Sequence, residues 1–184
     1  MVTINNPDLR NTYLYLSTIE NILRKEVRQI NGNKNYVDKI VPDQFTRIFS
    51  LKEKSALTFA DNLTRTAYEN SVVSIVATFE KIVFAKYRTS YGLLKRIVSE
   101  KSTRPLDYYK SREYFINDKI DRLSGIIFLL EGQFSSTLLR KLKLIKDHRN
   151  YIAHGKRDVA PPAVELNLEE IALVLDEVIG EIES

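Results

Sequence analysis

The stretch Ser71-Val72-Val73-Ser74-Ile75-Val76-Ala77-Thr78-Phe79-Glu80-Lys81-Ile82-Val83-Phe84 decides the fold class. It is apolar nearly all round and rich in β-branched residues, so a buried strand is conceivable. Length argues the other way. The apolar rows continue through Ile82, Val83 and Tyr87 with no turn signal, well past the 4–8 residues of an ordinary strand. The spacing therefore predicts a central buried helix from Ala56 to Tyr87, with Asn62 the one point where it could break.

Working outward, breakers fall at Asn31-Gly32-Asn33, Pro42, Pro105, Gly132 and Pro161-Pro162. Between them the apolar spacing is helical. A first helix is expected from Pro7 to Ile30, carrying Leu14, Ile19, Ile22, Leu23, Val27 and Ile30, with Asn31-Gly32 as its stop. Residues 33–50 read as loop with a short helix near Asp43. A connector follows Tyr87, then a short helix from Tyr91 to Val98. Further helices are expected over Ser111–Glu131, Ser135–His154 and Asn167–Glu183. Gly155 suits the C′ position of the second of these. Asn167 suits the N-cap of the last, with Glu169 and Glu170 at the positive end of its dipole. The sum is an all-α chain of five to seven helices, most simply a helical bundle.

Composition narrows the chemistry. The chain has 184 residues, no Cys, no Trp and two His, His148 and His154. One domain is the default at this length. The absence of Cys excludes a disulfide framework, a thiol nucleophile and the usual Cys-rich zinc site. Residues 1–10 are polar and lack the apolar core of a secretory signal. No run approaches the roughly 20 apolar residues of a bilayer span. The expectation is a cytoplasmic protein with no membrane segment. No βαβ pattern and no Gly-rich phosphate loop occur, so a P-loop or dinucleotide fold is not expected. No metal or cofactor site is expected either.

The net charge of +4 conceals a strong asymmetry. Residues 86–157 hold 17 Lys/Arg against 7 Asp/Glu, whereas residues 158–184 hold 8 acids and no base. Helices often solvate their outer faces in this way. A basic middle is equally suited to a polyanion such as RNA. The segment from Arg104 to Phe115 adds Tyr108, Tyr109 and Tyr114 among Lys110 and Arg112, a mixture that can stack bases and pair phosphates, or supply satellite core.

The run Lys146-Asp147-His148-Arg149-Asn150-Tyr151-Ile152-Ala153-His154-Gly155-Lys156 carries most of the chemistry. Arg149 is a permanent cation with a planar fork suited to phosphate. Imidazole is the side chain that titrates near neutral pH, which singles out His154. Asn150 lies four residues before His154 and shares its face, where it can orient the ring or hold a ribose hydroxyl. Arg149 and His154 differ by about 140° around an ideal helix. Two routes bring them together: the helix ends and lets His154 turn, or two chains combine their groups. The same residues also suit ordinary helix termination, with a cationic His near the negative end of the dipole.

Arg149-Asn150-Tyr151-Ile152-Ala153-His154-Gly155 resembles the signature of the HEPN superfamily, an Arg, often an Asn next, and a His four to six residues on. The helix ending Thr78-Phe79-Glu80 is similar to that family's second core helix. The resemblance covers residues 56–183, with 1–55 as an N-terminal helical extension of one domain, and its specific part is the seven-residue motif. It implies a four-helix core with additional helices, a homodimer, and a metal-independent endoribonuclease of toxin–antitoxin or phage-defence type, acting on RNA and held by an antitoxin protein. It further implies that Arg149 neutralises the scissile phosphate, that His154 acts as general base or acid in attack of the 2′-OH, and that Asn150 orients. Lys146, Lys156, Arg157, Lys110 and Arg112 become candidate RNA-binding residues. Some HEPN toxins carry a Tyr two residues after the His that a nucleotidyltransferase modifies. Lys156 stands there in this chain, so that form of control is not expected.

Two residues have competing roles. Glu80 lies on an apolar face, where a carboxylate needs a partner. That partner is either any nearby base or Arg149 in particular, in which case Glu80 supports the site. His148 points away from the row of His154 and reads as a surface residue. Two other functions fit the same residues. One is a non-catalytic HEPN-like module that binds RNA, a nucleotide or a protein. The other is an antitoxin-like helical subunit whose acidic residues 158–184 dock on a basic partner.

Overall fold

The computed structural model describes residues 3–32, 53–100, 123–130, 134–154 and 166–183. These form five α-helices and no strand: α1 (Pro7–Gly32), α2 (Glu53–Glu100), α3 (Leu123–Leu130), α4 (Ser136–Ala153) and α5 (Leu168–Glu183). The all-α helical bundle expected from the periodicity is what the chain forms. No described helix is long and apolar enough to cross a membrane. The expected short helix near Asp43 and the first half of the expected Ser111–Glu131 helix lie outside the described residues.

The deciding stretch is helical, within a 48-residue helix about 72 Å long. Asn62 does not break it. The expected connector after Tyr87 does not exist either, since α2 runs on through Gly92 to Glu100. One Gly in a long helix costs only about 1 kcal/mol relative to Ala. Nor is the stretch buried all round. Val72, Ile75, Val76, Phe79 and Val83 are fully buried at i, i+3, i+4, i+7 and i+11, while Ser74, Ala77 and Lys81 are exposed. Each buried side chain contributes about 1.5–3 kcal/mol, which outweighs the weak strand preference of Val and Ile.

α1 packs along α2, and α5 packs against both. Asn6 caps α1, its Oδ1 accepting from the N–H groups of Asp8 and Leu9 at 3.1 Å each. Pro7 takes the first helical position, where its missing N–H costs nothing. Ile4, Leu9 and Leu16 join the common core. Leu14 and Ile22, expected on the buried stripe, are instead 53% and 55% exposed. α1 carries apolar residues around much of its circumference, and docking on α2 selects the Leu9–Leu16 face.

α5 is tied to α1 by a buried carboxylate. Asp176 is 6% exposed and accepts from the backbone N–H groups of Asn5 and Asn6 at 2.8 Å each, and from Asn5 Nδ2 at 3.1 Å. Asn167 caps α5 as expected, and the cap is reciprocal. Asn167 Oδ1 accepts from Glu170 N at 2.8 Å, and Glu170 Oε2 accepts from Asn167 N at 3.0 Å.

Candidate functional site

α4 carries the motif. Ser135 caps its start, the hydroxyl accepting from Leu138 N at 3.2 Å. Leu138, Leu142 and Ile145 form its core stripe. His148 follows Ile145 by three residues and is 5% exposed, which corrects its expected place on the surface. The i+3 spacing from Ile145 and the i+4 spacing to Ile152 already carried that signal. Its ring meets Tyr68 of α2 edge-on at 5.9 Å between centroids. Tyr68 Oη lies 3.4 Å from His148 Nε2 and donates to the carbonyl of Leu166 just ahead of α5. This node joins α2, α4 and the entry to α5, and so sets the roll of α4 about its axis.

With His148 seated inward, Arg149 comes out on the adjoining row, 32% exposed. Its Nη2 stands 3.7 Å from Glu80 Oε2 of α2, and its Nη1 donates to Asn150 Oδ1 at 3.2 Å. The contact with Glu80 is an ion pair too long for a hydrogen bond. Arg149 Nε is buried and has no hydrogen-bond partner among the described residues. The guanidinium is held by one hydrogen bond, to Asn150, and by the opposite charge of Glu80. Asn150 Oδ1 thus serves the Arg149 guanidinium.

His154 is the C-cap of α4, with φ −88° and ψ 14°, its backbone N–H bonded to Asn150 O at 2.9 Å. The helical bond to Asn150 keeps His154 on the end of α4, and from there it reaches the same cleft as Arg149. Glu80, Arg149, Asn150 and His154 line one cleft of about 410 Å³. Lys146 lines the same cleft, one turn before Arg149. Its ion pair with Asp147, at 3.2 Å, involves a carboxylate that is mostly exposed, and such pairs hold little free energy. α3 closes the far wall with Leu123 and Ser124. No sequence signal marked these two, because only the packing of α3 brings them there.

Glu80 is half-buried, its side chain 17% exposed. Burial pushes its carboxyl above the usual value. The Arg149 charge and a hydrogen bond from the Leu123 backbone oppose that rise without cancelling it. The cleft holds two permanent cations, one imidazole and one carboxylate, so it favours an anion. Among the described residues no three His, Asp or Glu side chains gather as a metal site would require. A larger cleft of about 580 Å³ lies between the N-terminal segment, α4 and α5, with Ile145 and Val174 on its floor, and contains none of the motif. Lys156, Arg157, Lys110 and Arg112 lie outside the described residues. No protein-family model, curated protein or solved structure matches this chain.

Proposed function

We propose that the protein is an endoribonuclease of HEPN type, cleaving RNA by attack of a 2′-OH on the adjacent phosphate. The observation that carries this reading is the convergence of Arg149, His154, Asn150, Lys146 and Glu80 on one cleft. Arg149 binds the scissile phosphate through the part-exposed end of its guanidinium, held in place by Asn150 and Glu80. Lys146 adds a second positive charge one turn away. His154 exchanges a proton with the reacting oxygens. This chemistry runs on charge neutralisation and proton transfer, yields a cyclic phosphate and a 5′-OH, and asks for no metal.

The homodimer and the antitoxin belong to the reading through the resemblance. Within one chain Arg149 and His154 line the same cleft, which supports the reading without deciding the oligomeric state. Purified protein incubated with RNA in EDTA is expected to cleave it, and Arg149→Ala and His154→Ala are expected each to slow cleavage by about 10²–10⁴. Cleavage by both variants at the wild-type rate would sink the assignment. RNA binding without cleavage, surviving His154→Ala, would establish the non-catalytic module instead. Light scattering decides the oligomeric state.

A further inference from the structure

We infer that Glu80 is the general base of the cleavage and His154 the general acid, so that a single chain supplies both proton-transfer groups around the phosphate held by Arg149. The inference rests on the ribonuclease reading above and decides what that reading leaves open, the direction in which protons move.

The geometry comes first. Glu80 Oε2 stands 3.7 Å from Arg149 Nη2, so a phosphate resting on the guanidinium meets the carboxylate from the α2 wall. His154 approaches from the end of α4, five residues or about 7.5 Å further along the axis. Both groups therefore line the cleft that holds Arg149, Glu80 from the α2 wall and His154 from the end of α4. The charged and titratable groups facing Glu80 across the cleft are Lys146, Arg149 and His154, all on α4. α3 presents the Ser124 hydroxyl and the Leu123 backbone. Among the described residues the cleft contains no second carboxylate to compete for the role.

Chemistry then orders the pair. As chemical types, a carboxylate is the usual proton acceptor of such a pair and an imidazolium the usual donor. Burial raises the Glu80 carboxyl, which makes its carboxylate a stronger base than an exposed one. In the step itself the 2′-O–H proton passes to Glu80, and the 2′-oxygen forms a bond to phosphorus. The P–O5′ bond breaks, and the departing O5′ takes the proton of the His154 imidazolium. The cyclic phosphate and 5′-OH leave behind a neutral Glu80 and a neutral His154. Solvent then returns the proton from the first to the second.

The test measures single-turnover cleavage of one oligoribonucleotide against pH by the full chain. It also uses the same strand with a bridging 5′-sulfur at the cut site, whose thiolate departs without a proton. Wild type is expected to give a bell-shaped profile. Glu80→Gln is expected to slow both substrates by about 10²–10⁴ and to lose the rise with pH. Glu80→Asp is expected to keep the rise at a lower rate, which separates a lost base from a lost fold. His154→Ala is expected to be as slow on ordinary RNA, yet to return to within about tenfold of wild type on the sulfur strand. Wild-type cleavage by Glu80→Gln, or sulfur rescue of Glu80→Gln in place of His154→Ala, would overturn the assignment while leaving the ribonuclease reading intact. A wild-type chain that cuts no RNA would overturn both.

Discussion

Removing the Asp176 carboxylate tests how α1 is held to the bundle. Asp176→Ala deletes the acceptor of two backbone N–H groups, Asn5 N and Asn6 N, and of one side-chain N–H, Asn5 Nδ2. Hydrogen bonds to a charged group contribute about 1.5–3 kcal/mol each. The side-chain donor belongs to an exposed Asn and turns to water at little cost. The two backbone donors are part-buried and recover some hydration, which places the total near the lower bound, about 3 kcal/mol. For a chain of this size that lowers Tm by about 6–12 °C. Urea unfolding followed by circular dichroism measures the difference directly. Asp176→Asn supplies an internal control. Its one carbonyl oxygen serves one backbone N–H while its amide N–H confronts the other, so it is expected to recover at most half of the loss. Asn5→Ala removes only the side-chain donor and is expected to cost under about 1 kcal/mol. An Asp176→Ala chain within about 1 kcal/mol of wild type, or an Asp176→Asn chain as stable as wild type, would refute the clamp.

Two further outcomes follow from the same packing. Leu14→Lys is expected to stay within about 0.5 kcal/mol of wild type, because Leu14 is 53% exposed, whereas Leu16→Ala is expected to lose about 2–4 kcal/mol. Equal costs in urea unfolding would show that the buried face of α1 is misassigned. Glu80 makes stability depend on pH with a definite sign. Its folded carboxyl is raised above its unfolded value, so the folded state binds the proton more tightly. The contribution is fully present below the ordinary carboxylate range and fades as pH rises toward the shifted value. The stability of Glu80→Gln relative to wild type is therefore expected to climb from pH 4 upward and then level off. A difference that stays flat, or falls, in unfolding curves between pH 4 and 7 contradicts the desolvation of Glu80.

Much of the secondary structure was legible because its causes are local. The i, i+3, i+4 rows of Leu138, Leu142 and Ile145, the Asn167 cap and the long apolar run of α2 are each decided within a few residues of chain. The motif residues were legible for the same reason, since Arg149, Asn150 and His154 sit within one turn and a half. Local spacing failed where two surfaces competed for one helix. α1 offers more than one apolar stripe, and the choice of Leu9 and Leu16 over Leu14 and Ile22 depends on α2 and on the Asp176 clamp.

The contents of the cleft lie beyond any local pattern. Glu80 and Arg149 are 69 positions apart, and their approach follows from the burial of Phe79 on one helix and of His148 on the other. Sequence spacing placed His154 about 140° from Arg149 and offered two ways to unite them. Within one chain, both residues line the same cleft. Helix, cap and motif are properties of neighbours along the chain. Which face turns inward, and which carboxylate meets which guanidinium, is decided by the core, because burying apolar surface is worth more than any single polar contact and leaves the polar groups to meet where packing puts them.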